Sequence, residues 1–154
     1  MKDADEVLKN WDALKKAGKH QDTYSDTLES VPKTFPALLR GEKVCKRAAR
    51  AGLSENDAKV CAESICEDIR KLCCGDFSVD VEQNQQILGK ILLKFCNLSR
   101  ILKVDSEKAL TYSTNEFIMN FRAVENEIIA DGKSLDELSD EELKLAADKV
   151  LNGL

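Results

Sequence analysis

Residues 81–102 read VEQNQQILGKILLKFCNLSRIL. Ile87, Leu88, Ile91, Leu92, Phe95, Cys96, Leu98 and Leu102 recur there at intervals of three and four, the period that puts side chains on shared faces of an α-helix. No other segment of the chain is so apolar along its length. That predicts a helix at the centre of a bundle rather than one lying on its surface.

The same period continues upstream. Ala58, Cys61, Ala62, Ile65, Ile69 and Leu72 form an apolar stripe, opened by Ser54 with Asp57 as a capping box and closed at Cys74-Gly75-Asp76. The connector is short and the stripes match, so these two helices are predicted to be antiparallel neighbours. Before them, a helix is expected from about Pro36, a residue suited to a first turn, to about Gly52, a natural stop. Near the N-terminus, Val7, Leu8, Trp11 and Leu14 mark a first helix over residues 3–16. The polar stretch GKHQDTYSDTLESVPKTF between these two is read as a long connector.

Downstream, Asp105 or Ser106 caps a helix over about residues 107–131, ended by Gly132, with Leu110, Phe117, Phe121 and Val124 on its stripe. Ser139 with Glu142 caps a last helix to about Leu151. The reading is an all-α helical bundle of about six helices in one domain, residues 1–154. Residues 1–35 supply the N-terminal helix and connector, 36–132 the core helices, and 133–154 the C-terminal helix.

Composition agrees. Hydrophobic residues make up 43% and charged residues 33%, with 2 prolines and 7 glycines among 154 residues. That is a globular balance, too poor in turn residues and aromatics for a β-rich domain. The net charge of −5 argues against a nucleic-acid partner. One local exception is basic: Lys33, Arg40, Lys43, Lys46, Arg47 and Arg50 lie within 18 positions that hold one acid, Glu42. Such a stripe suits a small anion; it equally suits a solvated helix face. No apolar run is long enough to span a membrane. The N-terminal MKDADEVLKNWDALKK lacks a signal core, so the cytoplasm is the expected location. The six cysteines show no C-x-x-C spacing and the single histidine, His20, sits in a polar stretch. Zinc and Cys–His chemistry are therefore poorly supported, and most of the cysteines are expected to serve as small core residues in a reducing compartment.

Three stretches, read in order, carry a resemblance. They are EVLKNWDALKK with VPKTFPALLRGEKVCKRAARAGL, then VCAESICEDIRKL, then ILGKILLKFCNLSRILKVDSEKALTYSTNEFIMNFRAVE. Together they resemble the MazG family of all-α nucleoside triphosphate pyrophosphohydrolases, and in particular the C-terminal of the two homologous domains of longer MazG proteins. The resemblance implies a MazG-like fold, pairing of helices in a homodimer, and magnesium-assisted cleavage of a nucleoside triphosphate to monophosphate and pyrophosphate. Divalent ions neutralise the triphosphate and orient the attacking water. The family holds them with an E-E-x-x-E motif on one helix and E-x-x-D on the next.

Here the first motif reads Glu67, Asp68, Ile69, Arg70, Lys71, and the second reads Ile87, Leu88, Gly89, Lys90. Glu67 and Asp68 are the residual metal positions, with Glu63 one turn earlier as a further candidate. Lys71, Ile87 and Lys90 stand where the family has carboxylates. Five carboxylates carry about −5, whereas Glu67, Asp68, Lys71 and Lys90 cancel. Glu82 is no substitute, being turned about 140° from Ile87. Magnesium, implied by the family, is thus expected to bind weakly or not at all, with Lys71 or Lys90 replacing it. Restoring the acids at 71, 87 and 90 is expected to restore metal binding.

The family's phosphate-facing bases on the fifth helix are replaced by Glu116 and Asn120, and a tryptophan that would stack on the base corresponds to about Ala147. Lys43, Lys46 and Arg47 match the family's basic segment and are the phosphate candidates; the competing role is surface charge or neutralisation of Glu63, Glu67 and Asp68. Three functions follow. The favoured one is a catalytically degenerate MazG domain that keeps nucleotide or anion binding, or acts by dimerisation. The alternatives are an active enzyme using Glu63, Glu67 and Asp68, and a helical protein-interaction module.

Overall fold

The computed structural model describes residues 23–74 and 81–151, the last three as backbone only. The helix expected over residues 3–16, His20, and the Gly75-Asp76 part of the break lie outside the described residues. Six α-helices are present among them, with no strand: α1 (Tyr24–Glu29), α2 (Ala37–Arg50), α3 (Ala58–Cys73), α4 (Val81–Leu102), α5 (Ser106–Ala130) and α6 (Asp140–Leu151). A 3-10 turn, Leu135–Glu137, precedes α6. The all-α expectation holds. No helix among the described residues is long and apolar enough to cross a membrane.

The chain divides into two compact units that meet between Glu107 and Lys108. In the first, α4 is the centre. It packs on α2 through Cys96 and Leu93, where Gly41 lets the helices approach: a Cβ at Gly41 would lie 2.9 Å from Cys96 Sγ. On its other side it packs on α3. Cys61, Ile65 and Ile91 form the buried cluster there, with Ile87, Leu72, Leu98 and Ile101 against it. The two helices run antiparallel. Cys61 near the start of α3 donates its thiol to the Lys94 carbonyl, and Asn97 late in α4 donates to Cys61 Sγ.

Helix ends follow local chemistry. Gly52, with φ of 77°, ends α2 in a Schellman turn: Leu53 N–H donates to Ala48 and Gly52 N–H to Ala49. Gly132 ends α5 in the same way, at φ 75°. Lys103 does so for α4 at φ 59°, a conformation that side chains rarely adopt.

The polar connector is not featureless. Thr23 and Asp26 form a reciprocal capping box that starts α1. The cap of α3 is Asp57, which accepts from Lys59 and Val60 N–H, rather than Ser54. Ser54 donates to Asn97 instead.

The starts of α2 and α5 cap each other. Pro36 offers α2 no side-chain cap, and Glu107 of α5 accepts from Leu39 N–H at 3.3 Å. Glu42 of α2 accepts from both the N–H and the hydroxyl of Ser106 at 3.4 Å. Each carboxylate lies at a helix N-terminus, where the backbone dipole favours negative charge.

All six cysteines are free thiols, but only Cys45, Cys61 and Cys96 are buried. Cys66, Cys73 and Cys74 are exposed on α3 or at its end, because only the Cys61–Ile65 side of that helix faces α4. The expectation that most of the cysteines fill the core is met for half of them. Burial pushes the Cys45 thiol up to about 11, with the neighbouring Cys96 adding to the effect. It also raises Cys96, so both stay protonated and unreactive at neutral pH.

In the second unit, α5 is followed by the 3-10 turn and α6. Ser139 and Glu142 form the expected capping box at the start of α6. Ile128 is buried in the part of α5 that belongs to this unit.

Candidate functional site

The family motifs fall on α3 and α4, and the packing register sets their relation. Seven residues on from Cys61 along α3 is Asp68; seven back from Lys94 and Asn97 along α4 are Ile87 and Lys90. Antiparallel helices with equal rise therefore bring position 68 level with 87 and 90, and position 71 level with 84 and 87, less than one turn further on. Both motifs lie at one level of a single helix interface, as a shared site requires.

What occupies that level is an ion pair. Lys94 Nζ lies 2.5 Å from Asp68 Oδ2 and 2.7 Å from Ser64 Oγ, and donates to the Ser64 carbonyl at 3.4 Å. Lys71 approaches the other carboxylate oxygen, Oδ1, at 3.6 Å. The Lys71 side chain is 73% exposed and that of Asp68 20%. The Lys94 hydrogen bond, then its charge and that of Lys71, hold the Asp68 carboxyl below its usual 3.8, against the upward push of burial.

The cation at this carboxylate is thus chiefly Lys94, one turn beyond Lys90. Lys90 itself is exposed. Lys71 pairs with Asp68 only within its own helix. Sequence reasoning passed over Lys94 because it stands outside the E-x-x-D positions; its i, i+4 relation to Lys90 was the available signal. Ile87, where the resemblance implied a carboxylate, packs against the apolar cluster. Glu63 and Glu67 are exposed on the outer side of α3.

These residues do not fit a magnesium ion, which needs several oxygens in near-octahedral array. Among the described residues no group of three or more Asp, Glu, His or Cys is placed to hold a metal ion. Asp68 has an ammonium at each oxygen.

The basic segment on α2 is also partly committed. Arg47 Nη1 donates to the Thr27 carbonyl and, at 2.5 Å, to Ser30 Oγ. It serves the open carbonyl end of α1, a favoured place for a cation. Lys43 is half-buried and Lys46 exposed. A cleft of about 370 Å³ opens between α2, α3 and α4, with Cys45, Cys61, Ser64 and Lys94 in its wall; Lys43, Lys46 and Arg47 do not line it.

Asn97 and Arg100 of α4 clamp the loop between α2 and α3. Asn97 donates to the Glu55 carbonyl at 3.0 Å, and Arg100 reaches the same carbonyl at 2.7 Å and Asn56 Oδ1 at 2.9 Å. Asn97 and Arg100 are therefore engaged in holding that loop.

In the second unit, Asn120 lines an apolar cleft of about 390 Å³ with Phe117, Phe121, Lys144 and Ala147. The Phe117 and Phe121 rings are 6.5 Å apart. Two positions where the resemblance implied phosphate and base contacts, Asn120 and Ala147, thus share one cleft, while Glu116 is exposed.

No protein-family model matches the chain. Curated relatives do. It is similar to the nucleoside triphosphate pyrophosphohydrolase of Escherichia coli K12, 29% identical over 129 residues, covering 82% of this chain and 49% of that protein. The nucleoside triphosphate pyrophosphohydrolase/pyrophosphatase MazG of Thermotoga maritima is 30% identical over 145 residues, covering 94% and 55%. The uncharacterized protein YabN of Bacillus subtilis is 32% identical over 153 residues, covering 99% and 30%. The chain spans about half the length of the first two relatives and less of the third. With the all-helical architecture and motif positions brought to one level, these similarities lead to one conclusion: the chain belongs to the MazG family of nucleoside triphosphate pyrophosphohydrolases.

Proposed function

We propose that this chain is a catalytically degenerate MazG domain that acts through its helical surfaces as a homodimer. The observation that carries the first part is the ion pair between Lys94 and Asp68, at 2.5 Å. Pyrophosphohydrolysis in this family is metal-assisted, and its transition state is stabilised by cations held in fixed positions. An ammonium can neutralise Asp68 but has no open coordination position for water or phosphate. Losing one preorganised stabilising group commonly costs on the order of 10²–10³ in rate. Replacement of three carboxylates lowers it further.

Support for the second part comes from α4. Leu88, Leu92, Phe95 and Leu102 follow one another at spacings of four, three and seven, and each is 43–58% exposed. Residues so spaced form a coiled-coil-like seam, on a side of α4 used by neither α2 nor α3. A self-complementary pairing across a two-fold axis would cover it.

The test is pyrophosphate release from a panel of nucleoside triphosphates with millimolar magnesium or manganese. No release above background is expected. Robust metal-dependent turnover would overturn the reading in favour of an active site built on Glu63, Glu67 and Asp68. Equilibrium binding of the same nucleotides separates retained nucleotide binding, through Lys43 and Lys46, from a purely protein-binding role.

A further inference from the structure

We propose that Lys94 is a tethered resident cation of the α3–α4 interface, one that bars divalent metal from this site even when the family's acids are put back. The inference rests on the degenerate reading above and says which residue enforces it.

The ammonium is saturated. It has three donors, and three acceptors meet it: Asp68 Oδ2, Ser64 Oγ and the Ser64 carbonyl. All three are on α3, from two residues one turn apart on the same side, while Lys94 comes from α4, so the charge ties the two helices together as a bridging ion would. It also excludes one. A magnesium ion binds oxygen at about 2.1 Å. With Nζ at 2.5 Å from Asp68 Oδ2, an ion on the same oxygen would lie within roughly 4.6 Å of a fixed positive charge. The other oxygen already faces Lys71.

Rebuilding the motif by Lys71→Glu, Ile87→Glu and Lys90→Asp leaves Lys94 in place. By the helix register, the new carboxylates gather at the level of the existing pair. Negative charge around a covalently tethered ammonium strengthens its hold, because an intramolecular cation needs no binding from solution. The triple variant therefore stays closed to metal, and removing the tether opens it.

The experiment compares three proteins: the triple variant, the triple variant with Lys94→Ala, and the unmodified chain. Each is melted with and without 5 mM manganese. The expected shifts are under about 1 °C for the unmodified chain and the triple variant, and several degrees for the quadruple variant, since a ligand that binds only the folded form must stabilise it. A shift in the triple variant equal to that in the quadruple would overturn the inference. So would a folded quadruple variant that does not respond. If the quadruple variant fails to fold, Lys94→Met and Asp68→Asn in the unmodified chain decide. As partners they should be strongly non-additive, the double variant melting no lower than the worse single one, and additive losses would sink the proposal. Turnover by the unmodified chain is a separate outcome that strikes the degenerate reading, whereas these melts report on Lys94 itself.

Discussion

The side-chain amide of Asn97 donates to the main-chain carbonyl of Glu55 at 3.0 Å, joining α4 to the loop that precedes α3. Asn97 is buried and its other atom is used as well: Oδ1 accepts from Ser54 and from Arg100. A buried amide with donor and acceptor both matched positions a loop more strictly than apolar packing can. Replacing it strands the Ser54 hydroxyl and weakens the hold on the Glu55 carbonyl. Asn97→Ala should lower stability by about 2–3 kcal/mol. Urea denaturation at pH 7 would measure this, and a loss under about 0.5 kcal/mol would show that the clamp is not cooperative.

Acid should weaken the fold through two carboxylates. Asp68 is held below 3.8 by Lys94 first, and Glu142 below 4.5 by the Ser139 N–H and hydroxyl first. A carboxyl whose folded-state pKa is depressed adds stability above its unfolded pKa and loses it as the pH falls through the folded value. Stability should therefore decline from about pH 5 downward. Asp68→Asn should flatten the part of this decline below pH 3.8, and Glu142→Gln the part that begins at 4.5. Denaturant midpoints taken between pH 2.5 and 6 would test both; unchanged slopes would refute the assignment.

Two glycines inside helices should respond to alanine with opposite signs. A Cβ at Gly41 meets Cys96 Sγ at 2.9 Å and Cys96 Cβ at 3.4 Å, so α2 and α4 would have to separate. Gly41→Ala should cost about 1–3 kcal/mol despite its better helix propensity. A Cβ at Gly89 meets nothing within 4 Å. Gly89→Ala should add about 0.5–1 kcal/mol. Thermal melts of the two single variants decide; the same sign for both would contradict the packing described for α4.

The proposed dimer predicts a specific disruption. Leu92 lies in the middle of the exposed α4 stripe and is 45% exposed, so Leu92→Asp leaves the core untouched. It buries two charges at a two-fold contact, which costs several kcal/mol if unpaired. Light scattering should show a dimer for the unmodified chain and a monomer for the variant, with the helical circular dichroism signal unchanged. A monomer in both would remove dimerisation from the functional account.

Helix content was legible in residues 36–132 because it is a local matter. The 3.6-residue period, Gly52 and Gly132 as stops, and the Ser139–Glu142 box each act within a few residues, and each operates in the folded chain. The short α1 is not legible from hydrophobic period, which so short a helix lacks, although Thr23 and Asp26 carry its capping signal. The start of α3 was misplaced by three residues because Ser54 could cap locally or reach Asn97, and only the packed structure makes Asn97 available. The choice of cation was decided at the same level. Sequence alone determined that Lys71, Ile87 and Lys90 stand where the resemblance implies carboxylates, since identity and spacing are properties of the chain. It could not determine that Lys94 meets Asp68. That depends on the register of two antiparallel helices, on a side chain long enough to cross between them, and on Ser64 and Asp68 meeting it there, and none of these exists until α3 and α4 are packed.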